Sequence, residues 1–404
     1  MSQITIDRLG HHGDGIAAGP VFAARTLPGE VIAGEITGDR IAVPRIVTPS
    51  PHRIRAACPH YNACGGCALL HADDGFNAAW KQDIVRTALA AQGLTAPIRG
   101  IATSPPGSRR RAALSGRRTK KGAIVGLHGR ASGTLTAVTG CRVLSPNILA
   151  ALPRLEAITQ AGASRKGEVT FTVIDTPGGL DVAATGGKPL DRGLLPALSA
   201  LAQNGIARLS WDGEVIVTLS PPALPMGRAR IVPPPGAFLQ ATANGEAALV
   251  AAVREAVGGA ARVVDLFAGC GTFALPLAEQ AEVLAVESDA AMLRALDAGW
   301  RQAQGLKAIR TEARDLFRRP LLADELTRFD AAVIDPPRAG AQAQVTALAG
   351  AGPPRIACVS CNPVTFARDA AQLVAAGYAL DWIDVVDQFR WSPHVEIAAQ
   401  LTRG

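Results

Sequence analysis

The chain has 404 residues, 48% hydrophobic and 19% charged, and a net charge of +7. That balance excludes a disordered chain and leaves room for about two or three globular domains around a large core. No uncharged apolar run is long enough to span a bilayer, and charge at Asp7-Arg8 interrupts the stretch where a secretory signal needs its apolar centre. The cytoplasm is therefore the expected compartment, with no membrane partner. Seven unevenly spaced cysteines in a reducing compartment suit metal or catalytic roles better than disulfides.

Residues 1–50 alternate apolar and polar positions between Gly13-Asp14-Gly15, Pro28-Gly29 and Gly38-Asp39. The pattern predicts about four short antiparallel strands, at 3–8, 15–24, 30–37 and 40–47, closing a small barrel. Next comes Cys58-Pro59-His60-Tyr61-Asn62-Ala63-Cys64-Gly65-Gly66-Cys67, spaced C-x5-C-x2-C, with Cys141 lying 74 residues beyond. Four thiolates can close a tetrahedral zinc site or hold a [4Fe–4S] cluster. Only one C-x2-C unit is present where zinc knuckles usually pair two, so the spacing suits iron–sulfur better. A redox C-x2-C pair is the weaker alternative.

Residues 75–92 place Phe76, Ala79, Trp80, Ile84, Val85 and Leu89 at helical spacing. Trp80 reads as a core residue. From 84 to 155 there is no Asp or Glu, and the same 72 residues hold twelve Lys or Arg. A stretch so one-sided repels itself unless an anion lies opposite, which points to a polyanion such as RNA. Its centre reads as hairpin strands at 111–118 and 123–129. Residues 146–235 alternate helices at 146–160 and 194–203 with strands at 168–175, 180–184, 207–211 and 215–219. Pro233-Pro234-Pro235 suggests a boundary near 235.

The carboxy-terminal third alternates strands and helices, the signature of a doubly wound parallel sheet. The strand Arg262-Val263-Val264-Asp265-Leu266-Phe267 is followed by Ala268-Gly269-Cys270-Gly271-Thr272, a loop whose glycines let backbone approach a ligand. Cys270 reads as a packing residue. Glu287 ends the next strand, 22 residues after Asp265, at the offset where an acid grips a ribose. Loop and acid together indicate an adenosine-bearing cofactor, while Ala274 in place of a third glycine weakens a nicotinamide reading. The strand at 331–334 ends in Asp335-Pro336-Pro337-Arg338. Enzymes that methylate exocyclic amines often place an aromatic residue after such a pair, and Arg338 argues against an amine target.

The strand at 356–359 runs into Ser360-Cys361-Asn362-Pro363. In an open parallel sheet, ligands bind outside the carboxyl ends of the strands. A thiol there points into the crevice, where no structural need calls for it. A helix at 364–376 follows, then strands at 379–386 and 394–401. Glu396 lies between Val395 and Ile397, and a carboxylate inside an apolar strand is costly unless paired or functional.

With these motifs in place, the chain resembles, over nearly its whole length, the bacterial RNA uracil-5-methyltransferases. Within them it is most similar to the iron–sulfur branch acting on 23S ribosomal RNA. The resemblance implies a class I, Rossmann-like α/β methyltransferase domain at 236–404. It also implies a small TRAM-like β-barrel at 1–52 and a central α+β RNA-binding domain at 53–235 carrying a [4Fe–4S] cluster. It makes Cys58, Cys64, Cys67 and Cys141 the cluster ligands. Gln240, Phe267, Gly269, Thr272, Glu287, Asp315 and Asp335 become S-adenosylmethionine contacts. Cys361 becomes the nucleophile that adds to carbon 6 of uracil, and Glu396 the base that removes the carbon-5 proton. RNA is the implied partner, 23S rRNA first and tRNA second; the sequence shows no oligomeric state, and a monomer is the default expectation. The chain departs from the family where Thr272 replaces an Asn of some members and Arg390-Trp391-Ser392 replaces a Pro-x-Thr run.

Three other readings stay open. A radical enzyme also joins an iron–sulfur cluster to this cofactor, but its three cysteines are usually spaced C-x3-C-x2-C. A 5-methylcytosine transferase usually shows a Pro-Cys or Thr-Cys motif, absent here. A non-catalytic iron–sulfur RNA-binding protein would need neither Cys361 nor Glu396.

Overall fold

A computed structural model describes residues 2–203 and 205–404. At the amino terminus a six-stranded sheet curves over a small core of Ile6, Ala17, Ala23, Ile32 and Ile41. Six strands replace the four expected. The run at 15–24 breaks into Gly15–Ala17 and Val21–Ala23 at Gly19-Pro20, and the run at 40–47 breaks into Arg40–Ile41 and Arg45–Thr48 before Pro44. Proline has no N–H to donate to a ladder, so each run stops there. The pairing is also not wholly antiparallel, because Arg40–Ile41 runs parallel to Val21–Ala23.

The middle of the chain forms a seven-stranded sheet containing the basic hairpin strands Arg111–Thr119 and Gly122–His128. Helix Pro146–Gly162 packs on this sheet, burying Ile148, Leu152, Leu155 and Ile158 against Phe171 and Leu114. Pro146 begins the helix, and the Ser145 hydroxyl accepts the Ile148 N–H at 3.4 Å as its cap.

The catalytic layer is an eight-stranded sheet. Its strands are β1 (Ile98–Thr103), β2 (Arg262–Leu266), β3 (Glu282–Glu287), β4 (Ile309–Ala313), β5 (Ala331–Ile334), β6 (Arg355–Ser360), β7 (Ala379–Asp387) and β8 (Glu396–Thr402), in the order β4-β3-β2-β5-β6-β8-β7-β1. Strands β2 to β6 are mutually parallel where they pair, and β8 enters antiparallel between β6 and β7. The order reverses at β2, so the crevice at its carboxyl end is the expected ligand position. Strands β5 and β6 are buried almost throughout. Helix α1 (Asp74–Ala90) packs beside α3 (Pro363–Ala375), while α2 (Ala243–Val257) covers β6 and β8 from the other face.

The chain divisions at 53 and 235 need correction. Strand β1 pairs in parallel with β7, and Val85 and Leu89 of α1 enter the core beneath β6, so residues 74–103 build the catalytic layer. The hairpin Leu224–Met226 and Ala229–Ile231 is buried against that layer too, ahead of the proline run. Prolines mark where a chain turns. Which sheet a strand joins depends on partners far away in sequence.

Candidate active site

The end of β6 is shaped by local hydrogen bonds. Asn362 caps α3, its side chain accepting the Val364 N–H at 3.1 Å, with Pro363 at the first helical position. The Asn362 amide also donates to the Arg338 carbonyl at 2.9 Å, and Thr365 Oγ1 donates to the same oxygen at 3.2 Å. The turn after β5 is thereby tied to the turn after β6. Cys361 sits between them, half-buried, at the mouth of the crevice.

Glu396 opens β8 beside Cys361 and is only 4% exposed. Burial pushes its carboxyl up to about 8, helped by nearby Asp335 and opposed by a hydrogen bond with Gln388 and the charge of Arg338. Asp335, desolvated at the crevice floor, is pushed up to about 7. The Cys361 thiol rises to about 11, chiefly through burial, then through Glu396 and Asp335, with Arg338 pulling it down. Arg338 thus pulls on both Glu396 and Cys361, while burial leaves all three acidic groups holding their protons above the usual range. Arg338 also donates to His394 Nδ1 at 3.1 Å, and burial together with Arg338 lowers the imidazole to about 4, so it is neutral at pH 7.

On the other side of β5 lies the expected cofactor edge. Phe267 and Gly269 take positive φ values of 65° and 54°, folding the loop after β2 back over the strand ends. A side chain at Gly269 would have open space beside it, with nothing nearer than Met292 Sδ at 4.0 Å. Glu287 reaches into this loop, Oε2 accepting from Gly269 N at 3.1 Å. Asp315 follows β4 and caps its own turn through Phe317 N at 3.0 Å, and the Phe317 ring lies 5.4 Å from that of Phe267. Thr272 is half-buried in the same loop. Asp265 is fully buried, and both its carboxylate oxygens lack a hydrogen-bond partner. Cys270 is buried in the core, as a packing residue would be.

Gln240 is buried behind this edge and leads to a residue that sequence reasoning missed. Gln388 Oε1 accepts the Ala241 N–H at 2.8 Å, so its amide nitrogen must be the group donating to Gln240 Oε1 at 2.5 Å. Gln388 therefore ties Gln240 to the Ala241 amide, and it also lies near enough to Glu396 to pull its carboxyl down. It is one polar residue in a loop, and only the pairing of β7 with β8 reveals its place. Arg338 was likewise read only as arguing against an amine target.

Cys361, Arg338 and His394 open onto a cleft of about 1030 Å³. Its opposite walls are the amino-terminal sheet, through His11, His12 and Arg40, and α1, through Phe76 and Trp80. Trp80 thus lines the cleft while also packing on the small core of Leu9, Leu27, Leu69 and Ala72, so the helical-pattern reading holds in part. The acid-free stretch is also less bare than its composition suggests. Arg99 pairs with Glu255 and Asp384, Arg110 with Glu246, Arg117 with Glu168 and Arg130 with Asp14. Lys120 and Lys121, at the hairpin tip, are exposed.

A second cavity, of about 180 Å³, is lined by Cys58, Cys64, Cys67 and Cys141 together with Arg109. Burial and the three other thiols push Cys67 up to about 12. Gly66 N donates to Cys64 Sγ at 3.3 Å and Val143 N to Cys141 Sγ at 3.4 Å. Among the described residues, no three His, Cys, Asp or Glu side chains gather closely enough to share one metal ion.

A parallel sheet reversing at β2, with a glycine loop and acid at that point, defines a Rossmann-like methyltransferase fold. The sequence profile of the tRNA (uracil-5-)-methyltransferase family matches residues 233–404. An uncharacterised RNA methyltransferase of Rhizobium meliloti is 44% identical, over 99% of both chains. The 23S rRNA (uracil(1939)-C(5))-methyltransferase RlmD of Alkalilimnicola ehrlichii is 33% identical, over 99% of this chain and 96% of its own. Among solved structures, the Pyrococcus abyssi tRNA (uracil-54, C5)-methyltransferase in complex with S-adenosyl-L-homocysteine superposes with a TM-score of 0.78. That match covers 99% of each chain at 21% identity and establishes the shared fold. The chain belongs to the RNA uracil-5-methyltransferase family. It is an RNA methyltransferase, and among the described residues no helix is long and apolar enough to cross a membrane.

Proposed function

We propose that this enzyme methylates carbon 5 of a uridine in RNA through a covalent bond between Cys361 and carbon 6 of the base. S-adenosylmethionine, held by Gln240, Phe267, Gly269, Thr272, Glu287, Asp315 and Asp335, supplies the methyl group. The cradle suits it: Asp265 offers unpartnered carboxylate oxygens, and Gly269 leaves room for close approach. Carbon 5 of uracil is a poor nucleophile until a thiolate adds to carbon 6 and the electron pair moves onto the ring as an enolate. Carbon 5 would then bond to the methyl carbon as the bond from that carbon to the sulfonium sulfur breaks, leaving S-adenosylhomocysteine as the second product. Glu396 takes the proton from carbon 5, the carbon 5–carbon 6 double bond re-forms, and the Cys361–carbon 6 bond breaks to return the thiolate. Arg338, whose charge pulls the Cys361 thiol down, stabilises the thiolate. The base must leave its stack to reach Cys361, and the cleft has room for a flipped nucleotide and its neighbours.

The observation that carries this reading is the placing of Cys361, at the end of β6, beside Glu396, at the start of the paired strand β8, at one crevice facing the large cleft. The test is conjugation with RNA containing 5-fluorouridine, whose carbon 5 has no proton to lose. Wild-type protein should yield a conjugate that survives denaturation and maps to Cys361. Failure to form any conjugate would sink the covalent mechanism.

For the substrate, likeness to a named 23S rRNA enzyme favours ribosomal RNA, with tRNA second. Comparison of 23S rRNA and tRNA nucleosides from cells with and without the protein decides between them. All the active-site groups come from one chain, so a monomer suffices.

The four-cysteine cavity suits a [4Fe–4S] cluster. A zinc ion bonds sulfur at about 2.3 Å and would draw the thiols into a tight group. Here they surround a wider space, with amide donors on two sulfurs and Arg109 as a counter-charge. Protein purified without oxygen should carry about four irons and four sulfides per chain.

A further inference from the structure

Residues 388–395 connect β7 to β8, and the last of them precedes Glu396. The middle of this loop is gripped from outside the catalytic third. Ala68 N and Leu69 N both donate to the Trp391 carbonyl, at 2.8 and 2.9 Å. The Trp391 side chain packs with Tyr61 and Leu70 against Cys58 and Cys67. The Arg109 guanidinium, from the wall of the cysteine cavity, lies 5.4 Å from the centre of the Phe389 ring. Lys81 of α1 donates to the Phe389 carbonyl at 3.1 Å, and Arg390 donates to Ser104 O at 3.1 Å. These anchors come from residues 58–109.

Trp391 itself sits at φ 60°, a left-handed conformation unusual for a large side chain. Such a residue persists only where its surroundings over-determine it. The surroundings here are the segment containing Cys67, which is bonded directly to Ala68. The Arg390-Trp391-Ser392 run that departs from the family pattern is this gripped stretch.

We infer that the cysteine-bearing segment aims the general base, with Trp391 as the positioning residue: holding the four thiols fixes the Ala68 and Leu69 amides, which fix Trp391 and the loop that presents Glu396. This rests on the proposed role of Glu396. It assigns the cavity a task in the elimination step rather than in RNA capture.

The test separates addition from elimination. In Trp391→Ala, conjugation with 5-fluorouridine RNA should stay within about twofold of wild type, because no proton is removed there. With ordinary uridine RNA, the methylated adduct should accumulate at least about tenfold over wild type. Trp391→Phe should fall between the two. A Trp391→Ala protein that turns over normally, or that loses fluorouridine conjugation in step with turnover, overturns the inference. Glu396→Gln serves as control, and its failure to accumulate adduct would instead overturn the base assignment. Hydrogen exchange supplies a readout free of catalysis. In Cys67→Ala, amides of 389–395 should exchange at least about tenfold faster while those of β6 stay protected. Unchanged exchange in that loop would also overturn the inference.

Discussion

Two groups of thiols in this chain show what environment makes of one functional group. Cys361 stands alone among carboxylates, beside one arginine, facing a cleft of about 1030 Å³. Cys58, Cys64, Cys67 and Cys141 face one another across about 180 Å³, with amide donors and Arg109 turned toward them. Burial raises the pKa of Cys361, Cys64 and Cys67 alike. The difference lies in company and access. A single thiol with neighbouring proton acceptors and an open approach suits attack on a substrate. Four half-buried thiols lining one small cavity, with amide donors and an arginine, fit the cluster proposed there.

The sharpest way to break this contrast is to exchange losses between the two regions. Cys361→Ala should lower methylation by at least about 10³-fold and abolish the fluorouridine conjugate, while iron content stays unchanged by metal analysis. Glu396→Gln should lower turnover by about 10² to 10⁴-fold and leave methylated adduct visible on a denaturing gel. Cys141→Ala should do the reverse of Cys361→Ala. Iron should be lost and thermal stability should fall by about 1–3 kcal/mol, with fluorouridine conjugation retained. If that variant keeps its iron, the cavity is not the cluster site.

Smaller effects sharpen the contrast further. Glu396 sits at about 8, and the Cys361–Glu396 pair must release a proton to form thiolate beside a waiting base. The rate of methylation of uridine RNA should therefore rise with pH from 6 to about 8, as Glu396 ionises and can accept the carbon-5 proton, and Glu396→Gln should remove that inflection. The linkage to stability has the opposite sign. A carboxyl whose folded pKa is raised favours the native state below its unfolded value near 4.5, and that contribution is lost as pH rises through about 8. The smallest effect concerns the cap of α2, where Thr242 Oγ1 accepts the Gly245 N–H at 2.9 Å. Thr242→Ala should cost about 1 kcal/mol in denaturant unfolding without altering iron content.

Strands β2, β3, β5 and β6 were legible because each is a short apolar run closed by a polar or glycine signal, whereas β1 and the mostly polar β4 were not, and the order of the strands was not. Asp265, Glu287, Asp335 and Cys361 all end such runs, and the structure sets them along one sheet edge. Glu396 stood out as an acid among apolar neighbours. Legibility failed where a residue's importance depends on a distant partner. Nothing in the local pattern singles out Lys81. It is fully buried, paired with Asp387 at 2.5 Å, and holds the base loop. Trp80 shares an apolar pattern with core residues yet also lines the cleft. The basic stretch looked uncompensated because its counter-ions, such as Glu246 and Asp14, lie elsewhere in the chain.

By itself the sequence determined the chemistry available: which thiols, carboxylates and glycine loops exist, and at which strand ends they stand, because local apolar periodicity and turn residues set those positions. Only the tertiary structure decided which groups share a space. It put β8 between β6 and β7, so that Glu396 meets Cys361. It drew residues 74–103 into the catalytic layer, and it laid Trp391 on the cysteine segment. Pairing between strands far apart in sequence is selected by packing of the whole core, and no window along the chain contains that information.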